Sequence, residues 1–257
     1  MGGLQEENSI YWNNRASGYS EVNQEELEGI QRKTWSKLLE RKLTDRFGDR
    51  SKAEIRILDI GAGPGFLSII LTEMGYAVTA ADFSEEMQKH ARGNAGELAD
   101  RICFRKEDAQ NLSFADASFD VVLSRNLTWN LPDPEQAYRE WNRVLKKDGM
   151  LLVFDANWYT YLIDQESRLA YEQDRKNVEA NGLGDYNVGE NFDKMEVIAG
   201  QLPMTGRKRP EWDREFLLQL QIPDVRITAD IGAEVYSDKE KLNYASTPMF
   251  MIEGYKE

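Results

Sequence analysis

The chain has 257 residues, of which 41% are hydrophobic and 30% are charged, and its formal net charge at pH 7 is −13. This length accommodates one α/β domain with an appendage, and the acidic balance disfavours nucleic acid, whose nonspecific binding depends on Lys and Arg at phosphates. The single cysteine, Cys103, excludes an internal disulfide and a cysteine-rich metal site and is typical of a reducing compartment.

An aromatic segment lies near the start of the chain. Tyr11 and Tyr19 bracket Arg15, whose guanidinium is suited to binding a carboxylate. From these residues, the segment is predicted either to bind a carboxylate through Arg15 or to pack as an amphipathic leader helix. Farther on, Asn23 and Glu26 have the spacing of a capping box and predict the start of the first helix before the sheet.

The most informative segment is an apolar run followed by glycines. Ile57–Ile60 is predicted as a buried strand, and a loop with Gly61, Gly63 and Gly65 leads into a helix that begins near Phe66. Glycine permits positive φ and close approach of the backbone to a ligand, and a helix start presents free N–H groups. A dinucleotide-binding loop would need a third glycine where this chain has phenylalanine. The loop therefore predicts a nucleoside-type ligand.

Acidic residues follow the next two predicted strands. Ala77–Ala81 ends at Asp82, 21 residues after the first loop glycine, where an acid can accept hydrogen bonds from ribose hydroxyls. The pair Asp108-Ala109 follows a short strand, Ile102–Phe104. NAD-binding proteins share the first acid, so Asp82 supports a nucleoside without identifying it.

The alternation of strands and helices continues beyond these acids. Phe119–Ser124 is predicted as the fourth strand, Asp133–Lys147 as a helix and Met150–Phe154 as the fifth strand. Such alternation predicts a parallel sheet wound on both faces, with ligands at the carboxyl ends of its strands. Asn126 falls at one of those ends.

The regular pattern breaks after the fifth strand. Residues 158–222 are rich in aromatics without clean periodicity, and they are predicted to form an insertion. Its aromatics either pack as a small core or, as the family resemblance given below implies, belong to a helical cap over the substrate side. Val225–Thr228 and Met249–Tyr255 are predicted as the last strands. We predict a single domain, 1–257, made of an N-terminal helical cap (1–47), a core (48–157 and 223–257) and this lid insertion (158–222).

Together, the glycine loop after Asp59, the two strand-end acids and the closing strands resemble the class I S-adenosylmethionine (SAM)-dependent methyltransferases, particularly the small-molecule type of ubiquinone and menaquinone biosynthesis. The resemblance implies an α/β fold: a Rossmann-like, doubly wound, seven-stranded sheet, mostly parallel with an antiparallel last strand. It implies SAM as co-substrate. Its methyl group passes by in-line SN2 displacement to a small-molecule acceptor, and S-adenosylhomocysteine is released.

The resemblance also implies site residues. It assigns Asp82 to the ribose, Asp108 and Ala109 to adenine, Arg15 and Tyr19 to the methionine carboxylate, and Asp59 to ordering the glycine loop through backbone N–H groups. The full cofactor-binding set is Tyr11, Arg15, Tyr19, Asp59, Gly61, Gly63, Gly65, Asp82, Phe83, Met87, Asp108, Ala109, Arg125 and Asn126. Trp12 and Trp129 are assigned to the acceptor. No general base is singled out, and no metal-ligand spacing is found.

Two alternatives stay open: an NAD(P)-dependent oxidoreductase, which Phe66 disfavours, and a non-catalytic SAM-binding regulatory protein. No apolar run reaches the length of a membrane span, and Met1–Glu7 lacks signal-peptide features, so a cytoplasmic protein without membrane or nucleic-acid partners is expected. The basic run Arg207–Arg209 is flanked by acids and predicts a solvated loop. The sequence leaves the oligomeric state open.

Overall fold

The structure is a computed structural model that describes residues 2–188 and 192–257. It is built around a central sheet. Its seven strands are β1 (Arg56–Ile60), β2 (Ala77–Asp82), β3 (Ile102–Lys106), β4 (Phe119–Arg125), β5 (Leu145–Asp155), β6 (Asp224–Thr228) and β7 (Phe250–Tyr255). They lie in the order β3-β2-β1-β4-β5-β7-β6. Strands β1 to β5 are parallel, whereas β7 is antiparallel to both β5 and β6. The predicted fold class is confirmed.

Helices cover both faces of the sheet, because its strands are apolar on both sides. They are α1 (Gly2–Glu28), α2 (Ile30–Phe47), α3 (Phe66–Glu73), α4 (Glu85–Ala95), α5 (Pro134–Val144), α6 (Gln165–Ala180), α7 (Phe192–Ala199), α8 (Glu211–Gln219), α9 (Gly232–Val235) and α10 (Asp238–Asn243). Helices α2 and α3 pack on one face, and α5 and α8 on the other. In the described ranges no helix combines the length and apolarity needed to cross a membrane.

Local capping signals place several helix starts where the sequence predicts them. Ser84 accepts a hydrogen bond from the Met87 N–H, and Asp133 accepts one from the Gln136 N–H, so both side chains cap their helices. Helix α5 ends at Val144, earlier than predicted, because β5 already begins at the next residue.

The predicted helix start at Asn23 is wrong. Asn23 lies inside α1, and the break comes at Gly29, whose extended backbone separates α1 from α2. Asn23 and Glu26 instead face other elements: Asn94 donates to the Asn23 side chain, and Arg125 forms an ion pair with Glu26. Their capping-box spacing therefore reflects two contacts on one helix face.

The predicted solvated loop at 207–209 is also wrong for one of its residues. Arg209 is 4% exposed, and its guanidinium pairs with Asp155 at 2.8 Å and with Asp213 at 2.8 Å. Asp213 also accepts a hydrogen bond from the Tyr138 hydroxyl at 2.6 Å. Arg209 thus links the segment before α8 to the end of β5. Asp213, one of the flanking acids from which a solvated loop was predicted, is an ion-pair partner of Arg209.

We predict that Arg209→Met lowers the free energy of unfolding by about 3–5 kcal/mol, because two buried carboxylates lose their counter-charge. Arg207→Met is the matched control: its half-exposed ion pair with Glu135 should contribute less than about 1 kcal/mol. Urea unfolding measures both. Equal losses in the two variants would contradict a structural role for the buried guanidinium.

Candidate functional site

Two adjoining cavities open at the carboxyl ends of the strands. The first, which we call the loop cleft, has an empty volume of about 1090 Å³ that includes open solvent. The second, the aromatic chamber, measures about 780 Å³ on the same basis. Trp12, Tyr19 and Asn126 line both cavities, and we call these three residues the neck.

The loop cleft contains most of the predicted site residues. Those that line it are Trp12, Tyr19, Asp59, Gly61, Gly63, Asp82, Phe83, Met87, Asp108, Ala109, Arg125 and Asn126. Gly65 does not line it but precedes α3, where an added Cβ would lie 3.1 Å from the Ala91 side chain. Tyr11, Arg15 and Trp129 line the aromatic chamber instead.

The end of β2 holds the glycine loop in place. The Gly61 and Ala62 N–H groups both donate to the Ala81 carbonyl, at 2.8 and 3.0 Å, and the Gly63 N–H donates to the Asp82 carboxylate at 2.9 Å. Gly61 has φ +68°, and a Cβ there would lie 2.7 Å from the Leu127 side chain. The loop conformation therefore requires glycine at this position.

Asp59 has a different role from the predicted one. Its carboxylate accepts a hydrogen bond from the Ser68 hydroxyl in α3 at 2.6 Å, whereas the loop N–H groups are satisfied by β2. Asp59 therefore ties β1 to α3, and Asp82 orders the loop. Burial raises the pKa of Asp59 to about 6, despite the Ser68 hydrogen bond.

The two strand-end acids differ in their surroundings. The second Asp82 oxygen accepts from the Ser84 N–H at 2.8 Å, and burial raises the pKa of this carboxyl, although the backbone N–H groups oppose the shift. Asp108 accepts from the Gln110 N–H with one oxygen and from the Gln5 amide, at 2.8 Å, with the other. A side chain of α1 thus reaches the predicted adenine-binding acid.

Helix α1 forms one wall of the site. Asn8 donates to the Asn130 carbonyl at 2.8 Å, and the Ser84 hydroxyl donates to Asn13 at 2.6 Å. With Gln5 on Asp108, these contacts hold α1 across the carboxyl edge of the sheet. The N-terminal segment is therefore a helix over the cleft, and its aromatics serve the cavities as well as packing.

Several of these wall residues were not predicted from the sequence. Those of α1 that line the cleft are Gln5, Asn8, Ser9, Trp12, Tyr19 and Asn23. Apart from Ser9, their spacings of 3, 4, 7 and 4 are those of one helix face. Tyr11, Arg15 and Tyr19 follow the same rule at spacings of 4 and face the aromatic chamber. If the first 28 residues had been treated as one helix, these spacings would have distinguished the residues of the loop cleft from those of the aromatic chamber, with Tyr19 in both sets.

A buried ion pair anchors the other end of α1. Arg125, at the end of β4, pairs with Glu26 at 2.7 Å, and its guanidinium lies 4.6 Å from the Phe66 ring centroid. Glu240 next to this pair accepts from Gln31 of α2. The Arg125 guanidinium thus has a partner inside the protein, 99 residues away in the chain.

Polar atoms without partners point to a ligand. Among the residues that the structure describes, the Oδ1 atoms of Asn8, Asn126 and Asn130 and the Nε1 of Trp12 are buried without a hydrogen-bond partner, and all four residues line the loop cleft. Buried polar groups are nearly always satisfied. The cleft therefore has donor and acceptor capacity that a polar ligand would use.

Family and structure comparisons agree with this geometry. Residues 58–153 match the family model described as a methyltransferase domain. An uncharacterized methyltransferase of Bacillus subtilis is 35% identical over 105 residues, and a ubiquinone biosynthesis O-methyltransferase of Caulobacter sp. is 36% identical over 104 residues. Each match covers 40% of this chain and 42% or 41% of the relative, so the chain spans about two fifths of the curated relatives it matches.

Solved structures share the fold over a longer range. A Methanococcus maripaludis protein, provisionally assigned as a SAM-dependent methyltransferase, has a TM-score of 0.60 at 23% identity and covers 95% of this chain and 93% of its own. A Haemonchus contortus phosphoethanolamine N-methyltransferase 2, solved with SAM, has a TM-score of 0.54 at 19% identity, covering 84% of this chain and 51% of its own. At these identities the likeness concerns the fold.

We predict that Asp59→Asn stabilises the protein at neutral pH. Because the folded-state pKa of Asp59 is raised to about 6, the free energy of unfolding falls as pH rises from about 4 through 6, and an uncharged amide avoids that loss. The gain should reach up to about 3 kcal/mol at pH 7.5. Urea unfolding at pH 4 and 7.5 measures it, with the exposed Asp100→Asn as control. A gain that persists at pH 4 would contradict the titration argument.

Proposed function

We propose that the chain transfers a methyl group from SAM to a small-molecule acceptor, in keeping with the match of residues 58–153 to the methyltransferase domain model. The observation that carries the proposal is the pairing of cavities. A glycine-loop cleft with two strand-end acids opens through the neck into a separate chamber. The methyl donor and the methyl acceptor thereby have separate cavities that join at the neck.

The cleft residues fit a nucleoside with a polar tail. A Cβ on Gly63 would meet only the Tyr19 ring, at 3.8 Å, so the backbone here leaves room for a ligand next to Tyr19. The unpartnered oxygens of Asn8, Asn126 and Asn130 can accept hydrogen bonds from the ammonium and amino groups of the methyl donor. This chemistry suits SAM, which carries both kinds of group.

We assign roles within the cleft on the same grounds. Asp82 binds the ribose hydroxyls from the end of β2, and Asp108 with the Ala109 backbone binds the adenine edge. Phe83 is 44% exposed and Met87 is 3% exposed, so the two offer an exposed ring and a buried thioether to the faces of the base. In this proposal the adenine amino group shares Asp108 with the Gln5 amide, because a carboxylate has about four lone-pair sites.

Catalysis in this proposal depends on positioning. The donor supplies a methyl group on a positively charged sulfur, which an acceptor displaces in line. The neck residues hold the two partners in a near-attack arrangement, an effect that can contribute up to ~7–11 kcal/mol without a nucleophilic side chain. Burial raises the pKa of Tyr11 and Tyr19, so both phenols are protonated at neutral pH.

We predict that S-adenosylhomocysteine, at a hundredfold excess over its dissociation constant, adds about 2.7 kcal/mol to the free energy of unfolding. NAD should add much less, because buried Phe66 stands where a dinucleotide loop needs glycine. Thermal unfolding with each ligand measures this difference, and incubation of labelled SAM with a metabolite extract tests the transfer. Stabilisation by NAD and none by SAM or S-adenosylhomocysteine would overturn the proposal.

We predict that Asp82→Ala weakens S-adenosylhomocysteine and adenosine alike, by roughly ten- to a hundredfold, because both ligands carry the ribose diol and lose a charged acceptor. Titration calorimetry measures the two affinities. Glu86→Ala, which removes an exposed carboxylate from the same region, is the matched control. Unchanged affinity in a folded Asp82→Ala variant would assign the ribose to another residue.

A further inference from the structure

The aromatic chamber has an unusual lining. Ten aromatic side chains contribute to it, among them Tyr11, Trp12, Tyr19, Trp129, Tyr159 and Tyr161. Several of them support one another at ring-centroid distances of 5.1 to 5.9 Å, including Trp129 with Tyr159 and Tyr159 with Tyr161. Trp129 is also fixed by hydrogen bonds from its Nε1 to the Asn126 carbonyl and from its N–H to Asp155. Such a preorganised set of rings suits a flat apolar molecule.

Arg15 supplies the charge in this chamber. Among the described residues that line it, Arg15 is the sole charged side chain, and in the described ranges it has no ion-pair partner. This differs from Arg125, which pairs with Glu26. A guanidinium within an aromatic cavity is suited to a planar anion, which it can bind through two parallel hydrogen bonds.

The same arrangement disfavours a cationic acceptor. Aromatic faces attract cations as well as flat apolar molecules, but the Arg15 guanidinium repels a cation and attracts an anion. No carboxylate lines the described part of the chamber, and the nearby Glu196 already accepts a hydrogen bond from the Tyr161 hydroxyl at 2.7 Å.

From these observations we infer that the acceptor is a flat aromatic or conjugated molecule with an anionic group, which Arg15 binds while the rings enclose its body. The inference rests on the proposed function. It moves Arg15 from the methionine carboxylate, predicted from the sequence, to the acceptor. Trp12 lies three residues before Arg15 on α1 and Tyr19 four residues after it, so along the helix axis Arg15 lies between these two neck residues.

The test uses three single-ring probes that differ in charge: 4-hydroxybenzoate, 4-hydroxybenzamide and tyramine. Each is titrated calorimetrically into the protein with S-adenosylhomocysteine present and absent. We expect 4-hydroxybenzoate to bind at least tenfold more tightly than the other two. Arg15→Gln should remove that preference while S-adenosylhomocysteine binds as in the unaltered protein. Arg226→Gln removes the same charge from an exposed position on β6 and should leave the preference intact.

Each contrary outcome overturns the inference. Equal or tighter binding of tyramine or the benzamide, or no binding of any probe at 10 mM, excludes the anionic aromatic class. If Arg15→Gln weakens S-adenosylhomocysteine strongly but leaves adenosine unchanged, Arg15 belongs to the methionine carboxylate. Failure of the proposed function is seen separately, as the absence of S-adenosylhomocysteine binding to the unaltered protein.

Discussion

The attachment of the glycine loop to the end of β2 is the interaction on which the site depends. Two loop N–H groups converge on one carbonyl, and a third reaches the Asp82 carboxylate. The loop follows β1, and these hydrogen bonds fix it to the neighbouring strand β2. Asp82 has two tasks as a result: it orders the loop and, in the proposed function, binds the ribose. Losing it would affect the shape of the cleft as well as one ligand contact.

Helix α1 is the second determinant, and charge inside the protein decides its position. The Glu26–Arg125 pair is nearly enclosed, and Arg125 also lies against the Phe66 ring at the start of α3. Desolvating the two charges of such an enclosed pair costs much free energy, and removing one partner strongly destabilises the protein because the other charge is left buried and unpaired. The pair therefore gives the helix a specific register against the sheet, from which Gln5 and Asn8 reach the opposite end of the cleft.

The strands and the strand-end acids are predicted well because both follow from local patterns, whereas the antiparallel last strand was implied by the family resemblance. Ser84 and Asp133 cap helices through bonds to residues three positions away, and such bonds are visible in the sequence. The errors concern partners distant in the chain. Glu26 meets Arg125 across 99 residues, and Arg209 meets Asp155 across 54, so neither charge could be distinguished from a solvated one by its neighbours. Arg15 lines the aromatic chamber and not the loop cleft, because its face on the helix, not its residue type, decides which cavity it lines.

One helix borders both cavities, and this has a kinetic consequence. Two of the three neck residues belong to α1, and its contacts with Asp108 and Asn130 close the cleft at the far side. If donor and acceptor occupy these cavities as proposed, displacement of α1 admits or releases both. The opening rate would then set a common upper limit on turnover. Acceptors whose methyl transfer is faster than the opening would share one maximal velocity, whatever their nucleophilicity, and would differ in affinity alone.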